Sequence, residues 1–152
     1  MHTYVPITEK IAWIGINDWE TKLFEGLWPL PEGISYNSYL KKKKKTALID
    51  TVKDINPATY MNRIRHLLQE GKTLDYVIVN HMEPDHTGSL QLLRELFPNV
   101  QIVGNKQTKR FLESYYGLTE NVTTVEDGDT LDLGDHRCRF FMTPMLHWPE
   151  TM

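Results

Sequence analysis

Four side chains that can bind metal ions occur within six consecutive residues of this sequence: His81, Glu83, Asp85 and His86. They follow the apolar run 76–79, which is typical of a buried strand in a parallel sheet. Ligand sites of α/β proteins lie beyond the carboxyl ends of such strands. Two carboxylates this close would repel each other and raise each other's pKa unless a cation lay between them. The segment therefore predicts a metal site in a loop at the edge of a sheet.

The spacing of these residues predicts how they are shared. Pro84 is expected to prevent a helical continuation of the loop. In an extended loop, His81, Glu83 and Asp85 would point broadly one way and His86 elsewhere, which favours two adjacent metal ions over one. The alternative interpretation is an ordinary polar loop that binds nothing.

His147 is a further candidate ligand, in the segment Pro144-Met-Leu-His-Trp-Pro149 beyond the predicted apolar strand 140–142. A lone histidine beside a tryptophan is commonly a packed residue, but loops at the ends of strands in one sheet converge. Imidazole and carboxylate ligands without a thiolate suit iron, manganese or zinc. The high share of oxygen favours a redox-capable or harder ion, yet ligand chemistry alone does not choose between iron and zinc.

The elements that must position these residues alternate along the chain. Apolar runs predict strands at 11–16, 33–40, 46–52, 76–79 and 100–103, and short strands between 122 and 143 around turns at 127–129 and 133–135. Helices are predicted from Pro57 to Gly71, from Ser89 to Phe97, and from an Asn105 cap to Tyr116, closed by Gly117. Alternating βα units with flanking antiparallel strands predict an α/β layered fold.

Composition narrows the classes of function. The chain has 152 residues, with 17 Lys and Arg against 20 Asp and Glu, so its net charge of −3 does not indicate a nucleic-acid partner. Its single cysteine, Cys138, excludes an internal disulfide framework and a Cys-rich metal site, and is best interpreted as a small apolar strand residue. No apolar run is long enough to span a bilayer, and the first residues lack the pattern of a secretory signal. These features predict a soluble, cytoplasmic protein with no membrane partner.

The loop resembles that of the metallo-β-lactamase superfamily, whose signature is His-x-His-x-Asp-His after a strand. Glu83 stands where the second histidine is usual, and this replacement marks the flavodiiron proteins (A-type flavoproteins). The other segments that carry the resemblance, in the expected order, are Trp13-Ile-Gly15, Asp18-Trp19, Phe24-Glu25, Tyr36-Asn-Ser-Tyr39, Thr46-Ala-Leu-Ile-Asp50 and His147-Trp-Pro149. The resemblance covers essentially the whole chain and implies the N-terminal portion of an αββα sandwich.

The resemblance also implies a chemistry. By similarity, His81, Glu83 and His147 would bind one non-haem iron, Asp85 would bind a second, and His86 would bind the second iron in some members and swing away in others. Such proteins reduce dioxygen to water, or nitric oxide to nitrous oxide. Their electrons come from FMN in a flavodoxin-like domain, usually supplied by rubredoxin or a fused donor. They form head-to-tail homodimers that bring the FMN of one subunit beside the irons of the other.

The sequence departs from the family pattern at its end. The family requires a bridging aspartate and a final histidine beyond Met152, and then the flavodoxin-like domain. We therefore expect residues 1–152 to be the N-terminal part of a metallo-β-lactamase-like diiron domain. The rest of that domain and the FMN domain would lie outside this chain, in a missing C-terminal segment or a complementing chain. Such a portion is expected to leave an apolar sheet face unpaired.

Two other interpretations of the whole remain at this point. One is a dinuclear metallohydrolase of the same superfamily, although Glu83 stands where such an enzyme usually has histidine. The other is a module that keeps the fold but binds no productive metal pair. Lys41 to Lys45 predicts a solvated hairpin tip or, alternatively, a docking patch for an acidic electron carrier. His66 and His136 are predicted to be structural or exposed.

Overall fold

The computed structural model describes residues 4–68 and 72–152. The strands in these residues are β1 (Val5–Pro6), β2 (Ile11–Trp13), β3 (Ile16–Asp18), β4 (Leu23–Phe24), β5 (Trp28–Pro29), β6 (Ile34–Tyr36), β7 (Tyr39–Lys41), β8 (Ala47–Ile49), β9 (Tyr76–Ile78), β10 (Gln101–Gly104), β11 (Val122–Thr124), β12 (Thr130–Asp132) and β13 (Arg137–Arg139). The helices are α1 (Pro57–Leu68), α2 (Pro84–Thr87), α3 (Leu90–Leu96) and α4 (Lys106–Tyr116). None of these helices is long and apolar enough to cross a membrane.

The centre of the fold is a seven-stranded mixed sheet with the strand order β1-β2-β7-β8-β9-β10-β11. From β1 to β8 neighbouring strands are antiparallel, and from β8 to β11 they are parallel. Two-stranded antiparallel pairs form beside it from β3 and β6, β4 and β5, and β12 and β13. The parallel strands β8, β9 and β10 place their carboxyl ends at one edge, which is where the candidate ligands follow.

The two faces of the sheet are covered differently. Leu48 and Val77 lie in the larger hydrophobic cluster, which also contains the buried residues of α1, α3 and α4. Ala47 and Ile78 point to the opposite face, because side chains alternate along a strand. There a smaller cluster forms with Phe140 and its neighbours from the segment around β12 and β13. The predicted α/β fold is confirmed, but the second face is partly covered rather than bare.

Helix ends agree closely with the sequence prediction. The side chain of Asn105 accepts hydrogen bonds from the backbone N–H groups of Gln107 and Thr108, so it caps α4 as expected. Gly117 ends α4 with φ +66°, a left-handed conformation that glycine adopts at little cost. Helix α1 begins at Pro57, whereas the predicted stop at Gly71 lies outside the described residues.

Several predicted strands are broken or shorter. The run 11–16 divides into β2, which pairs with β7, and β3, which pairs with β6. Gly15 lies at the break, where a Cβ atom would come 2.1 Å from the carbonyl oxygen of Tyr36. The predicted strand 33–40 also divides, into β6 and β7, which are the partners of β3 and β2. The predicted strand 140–142 does not form: β13 ends at Arg139, and residues 140–142 are not part of a strand.

The prediction that Pro84 excludes a helix is wrong. Pro84 is the first residue of the short helix α2, and Glu83 precedes it in an extended conformation. Proline suits this first position, since its fixed φ is helical and the N–H that it lacks would have no partner within the helix. The predicted metal-binding segment 81–86 is therefore half loop and half helix.

The lysine run forms the β7–β8 turn, but it is not simply solvated. Lys41 is buried, and its Nζ contacts the Asp135 carboxylate and lies 2.8 Å from the carbonyl oxygen of Lys45. Lys43 pairs with Glu9, and Lys45 lies over the Tyr76 ring. The solvated-tip interpretation is thus wrong for Lys41, whose charge stabilises the turn itself.

The remaining single residues are unremarkable. Cys138 is half-buried in β13, and both His66 on α1 and His136 in the β12–β13 turn are exposed. His66 lies near the Tyr4 ring, and His136 lies near Asp135. All three lie outside the group of candidate metal ligands described next.

Candidate metal centre

Three chain segments converge at the carboxyl edge of the sheet. The first is the end of β8 at Asp50, the second is the loop from β9 into α2, and the third is the turn-rich segment 143–152. The third segment is held in place by the backbone N–H of Met152, which donates to the carbonyl oxygen of Asn80 (3.2 Å). The predicted ligands 81–86 and His147 are brought together by this convergence.

His81, Glu83 and His147 form the tightest group. Oε2 of Glu83 lies 3.0 Å from Nε2 of His81 and 2.8 Å from Nε2 of His147. One donor atom from each of the three residues lies within 4.8 Å of the others, close enough to surround one metal ion. His81 and Glu83 are buried, whereas the His147 side chain is 63% exposed. The group is therefore rigid on its protein side and open to solvent at His147.

Asp85 and His86 lie beside this group rather than in it. His86 Nε2 is 3.5 Å from an Asp85 carboxylate oxygen, and the rings of His86 and His81 lie 5.1 Å apart between centroids. Because α2 turns the chain after Glu83, these two residues lie on a helical turn, not in the extended loop that we expected. The five predicted residues therefore lie together as a group of three and an adjacent pair.

The local fold holds this helical turn firmly. The hydroxyl group of Thr87 on α2 makes a shared hydrogen bond to the carbonyl oxygens of Met82 (3.1 Å) and Glu83 (3.0 Å). Thr51, just after β8, donates both its backbone N–H and its hydroxyl to the carbonyl oxygen of His86, each at 2.8 Å. The motif is thus tied at both ends before any metal binds.

The close packing of carboxylates and imidazoles shifts the pKa values of the residues in and beside this group. Burial raises the pKa of Glu83, but hydrogen bonds from His81 and His147 outweigh it and hold the pKa below its ordinary value. Burial also raises the pKa of Asp85, and the nearby Glu83 charge adds to this. For His86, burial lowers the pKa, but the hydrogen bond and charge of Asp50 carry it above the ordinary value.

An iron site fits these residues. Oδ1 of Asp85 is buried and has no hydrogen-bond partner among the described residues, which is costly for a carboxylate and is relieved by a cation. Two imidazoles and one carboxylate converging on one point are the donor set typical of non-haem iron(II). The group lacks a thiolate, so it does not resemble a structural zinc site.

Two residues that support the site were not singled out as site residues from the sequence. Asp50 accepts from the backbone N–H of Asn80 (2.7 Å) and lies 3.3 Å from Nδ1 of His86. It has φ +51°, a strained conformation for a non-glycine residue, and its carbonyl oxygen accepts from the Ser38 hydroxyl. The predicted strand 46–52 contains Asp50, so its position directly after β8 became visible only in the structure. Glu150, the second residue, binds His81, and its sequence context carried no signal of this contact.

Comparison with known proteins agrees with this geometry. Residues 34–152 match the family model described as ODP family beta lactamase. The anaerobic nitric oxide reductase flavorubredoxin of Pectobacterium atrosepticum is 37% identical over 153 aligned positions, gaps included. The match covers 97% of this chain and 30% of that protein.

Two solved structures share the fold. A flavo di-iron protein variant from Thermotoga maritima superposes with a TM-score of 0.90 at 35% identity, covering 98% of this chain and 38% of that one. The rubredoxin:oxygen oxidoreductase of Desulfovibrio gigas gives a TM-score of 0.91 at 32% identity, covering 98% and 37%.

The chain spans between 23% and 37% of the length of the curated relatives that it matches. The predicted similarity to flavodiiron proteins and the predicted metallo-β-lactamase-like fold are both confirmed by these matches. Since the family match covers most of the sequence, the chain belongs to the ODP family of beta lactamases and has the metallo-β-lactamase-like fold found in flavodiiron proteins.

Proposed function

We propose that this chain provides ligands to a non-haem diiron centre that reduces dioxygen to water, nitric oxide to nitrous oxide, or both. The observation that carries the proposal is the placement of His81, Glu83 and His147 around one point, with Glu83 within 3.0 Å of both imidazoles. A metallohydrolase of this superfamily would have histidine in place of Glu83. The names of the relatives, a nitric oxide reductase and an oxygen oxidoreductase, support the reductase.

The ligands divide between two metal ions in this proposal. His81, Glu83 and His147 hold the first iron, and Asp85 and His86 contribute to the second. The support for the second set is the unpartnered buried oxygen of Asp85 and the nearness of His86 to the first group. Two iron(II) ions held by these residues would supply two electrons, which is enough to reduce two nitric oxide molecules to nitrous oxide and water, and the FMN would supply the two further electrons that reduction of dioxygen to water requires.

The residues of this chain tune the site in three ways. The negative charge of Glu83 stabilises the oxidised metal better than a neutral imidazole would. Asp50 holds the Nδ1 side of His86, so that Nε2 faces the Asp85 side of the site. The exposed edge at His147 provides access for a small substrate, whereas burial of His81 and Glu83 keeps bulk water from the opposite side.

The proposal extends to the rest of the machinery. We propose that residues 1–152 are the N-terminal part of the diiron domain. Further residues outside this chain would complete the ligand set, and a flavodoxin-like domain would deliver electrons from FMN. A rubredoxin-like protein is the proposed donor, and a head-to-tail homo-oligomer in the cytoplasm is the proposed assembly. The missing segments are supported by coverage, since the chain spans only 37% and 30% of the lengths of two relatives. The proposed donor is supported by the names of relatives, which include rubredoxin.

Metal analysis tests the proposal. Protein purified natively, with everything that co-purifies, is analysed for iron and zinc, and oxygen and nitric oxide consumption is measured with a reduced electron donor. We expect bound iron and reductase activity. Zinc with hydrolytic activity would support the hydrolase instead, and protein that binds no metal would support the inert module.

A substitution sharpens this test. Glu83→His restores the usual superfamily pattern, and we expect it to shift metal preference toward zinc and to abolish reduction. Glu113→His, on the exposed side of α4, is the matched control and should leave metal content unchanged. Full iron content and full turnover in Glu83→His would contradict the proposed role of the carboxylate.

A further inference from the structure

Glu150 is a fully buried carboxylate next to the candidate metal site. Its Oε1 lies 2.8 Å from Nδ1 of His81 and accepts the backbone N–H of Met82, also at 2.8 Å. Its own carbonyl oxygen accepts from the side-chain amide of Asn105 (2.6 Å), which at the same time caps α4. The backbone of Glu150 is thus held by Asn105 and its carboxylate by the Met82 N–H, which together position the carboxylate against His81.

The His81 ring lies between the carboxylates of Glu83 and Glu150, which face different ring nitrogens. Its Nε2 faces Glu83 and the point where the three candidate ligands converge, whereas its Nδ1 faces Glu150. An ionised carboxylate can only accept, so Glu150 favours a proton on Nδ1. Nε2 is then the nitrogen that can bind a metal ion, and the ion would take the place of a proton between Nε2 and Glu83. The Trp148 ring meets the His81 ring edge-on at 5.2 Å, which restricts ring rotation.

We propose that Glu150 is the positioning residue of the centre: it fixes the tautomer and orientation of His81 so that Nε2 is presented to a metal ion. The inference rests on the proposed metal site and deepens it. Carboxylates that accept the second N–H of a metal-binding histidine raise the basicity of the ligand, and removing them typically costs about 10–100-fold in metal affinity.

A purely structural role for Glu150 is the alternative. Its bonds to Met82 and Asn105 do connect the segment 143–152 to the β9 loop and α4. A neutral glutamine could accept the Met82 N–H without burying a charge, and the Asn105 bond goes to the backbone carbonyl, which any residue supplies. Oε2 of Glu150 is buried and has no hydrogen-bond partner among the described residues, so the charge carries a desolvation cost that connection alone does not require. The charge is explained if it acts on His81.

Two substitutions separate these roles. Glu150→Gln keeps the acceptor but removes the charge, and Glu150→Ala removes both. Thr151→Val is the matched control, since Thr151 bonds the carbonyl oxygens of Thr143 and Trp148 in the same segment without touching His81. Each protein is titrated with Co²⁺ alone, and binding is followed by its visible absorption bands. We expect affinity to fall about 10-fold in Glu150→Gln and up to about 100-fold in Glu150→Ala, with Thr151→Val unchanged.

A second measurement does not need a metal. Nitrogen-15 NMR of the histidine rings of metal-free protein, at about pH 9 where an ordinary imidazole is neutral, reports which nitrogen of His81 carries the proton. We expect a proton on Nδ1 in the natural protein. In Glu150→Ala, the Glu83 carboxylate remains against Nε2, so we expect the proton to move to Nε2.

The outcomes are distinguishable. If the natural protein binds Co²⁺ and folded Glu150→Ala binds it equally well, Glu150 is not a positioning residue, although the metal site stands. If the natural protein binds no Co²⁺, the proposed metal site fails. The tautomer then decides about Glu150: an unchanged His81 signal in Glu150→Ala overturns its role, and a lost Nδ1 proton supports its hold on the ring.

Discussion

Both ends of the central sheet contain buried charged groups, but the two ends differ in how completely these groups are paired. At the amino end of β8, the Lys41 ammonium contacts the carboxylate of Asp135 and three backbone carbonyl oxygens. At the carboxyl end, the carboxylates of Glu83 and Asp85 lie next to each other among histidines, and one oxygen of Asp85 has no partner among the described residues. Among residues 4–68 and 72–152, the first network is complete and the second is not.

This difference separates a structural network from a binding site. A buried charge that is fully paired needs nothing more, and removing it leaves its partner without compensation. A group of like charges with an unpartnered oxygen is more stable with a cation than without one. The lysine turn therefore stabilises the fold, whereas the buried carboxylate of Asp85, beside the His81 group, destabilises the metal-free protein when it is ionised. Substitutions at the two ends should differ in sign.

The largest effect is expected from Lys41→Met. The change removes the buried ammonium from the Asp135 carboxylate, which keeps Lys10 and the more distant His136 as partners, and it leaves the carbonyl oxygens that Lys41 now binds without that donor. We expect the melting temperature to fall by about 5–10 °C with no change in Co²⁺ affinity. Lys44→Met, in the same turn but exposed, is the control and should melt like the natural protein. An unchanged melting temperature in Lys41→Met would remove the distinction between the two ends.

Asp135→Asn should give a smaller, pH-dependent loss. Hydrogen bonds from Lys41, opposed by slight burial and reinforced by Lys10, hold the pKa of Asp135 well below its ordinary value. A lowered pKa in the folded state stabilises the protein above the pKa of the unfolded chain, about 4. That stability is lost as pH falls toward the folded pKa.

We therefore expect Asp135→Asn to melt a few degrees below the natural protein at neutral pH, and the gap to narrow below about pH 4. Melting curves recorded from neutral to acidic pH measure this. A gap that stays constant down to pH of about 3 would show that the carboxylate charge is not what stabilises the turn.

The smallest effect should have the opposite sign. Because burial, together with the Glu83 charge, raises the pKa of Asp85, its ionised form destabilises the metal-free protein at neutral pH. We expect Asp85→Asn to raise the melting temperature of metal-free protein by about 2–4 °C and to weaken uptake of a second metal ion. Calorimetry with and without Co²⁺ measures both, and a lower melting temperature in metal-free Asp85→Asn would contradict the comparison.

Local rules in the sequence predicted the helices well but not the strand breaks. Capping by Asn105 and the stop at Gly117 depend on neighbours within a few residues, so they are visible in the sequence. The break at Gly15 depends on the Tyr36 carbonyl, which is distant in sequence. The helical start at Pro84 was misjudged because proline disrupts a helix interior but suits its first turn.

The sequence by itself determined the similarity to flavodiiron proteins and the place of the candidate ligands along the chain. His81 to His86 follow a buried strand, and the glutamate at 83 distinguishes the branch of the family. The spacing of these residues is a local property of the sequence and does not depend on how the chain packs. Only the tertiary structure decided which residues support them. Glu150 reaches His81 because segment 143–152 folds back over the β9 loop, and Asp50 reaches His86 because two parallel strands end side by side. Contacts between residues this far apart in sequence depend on how the layers pack, and packing is not encoded in any short stretch of residues.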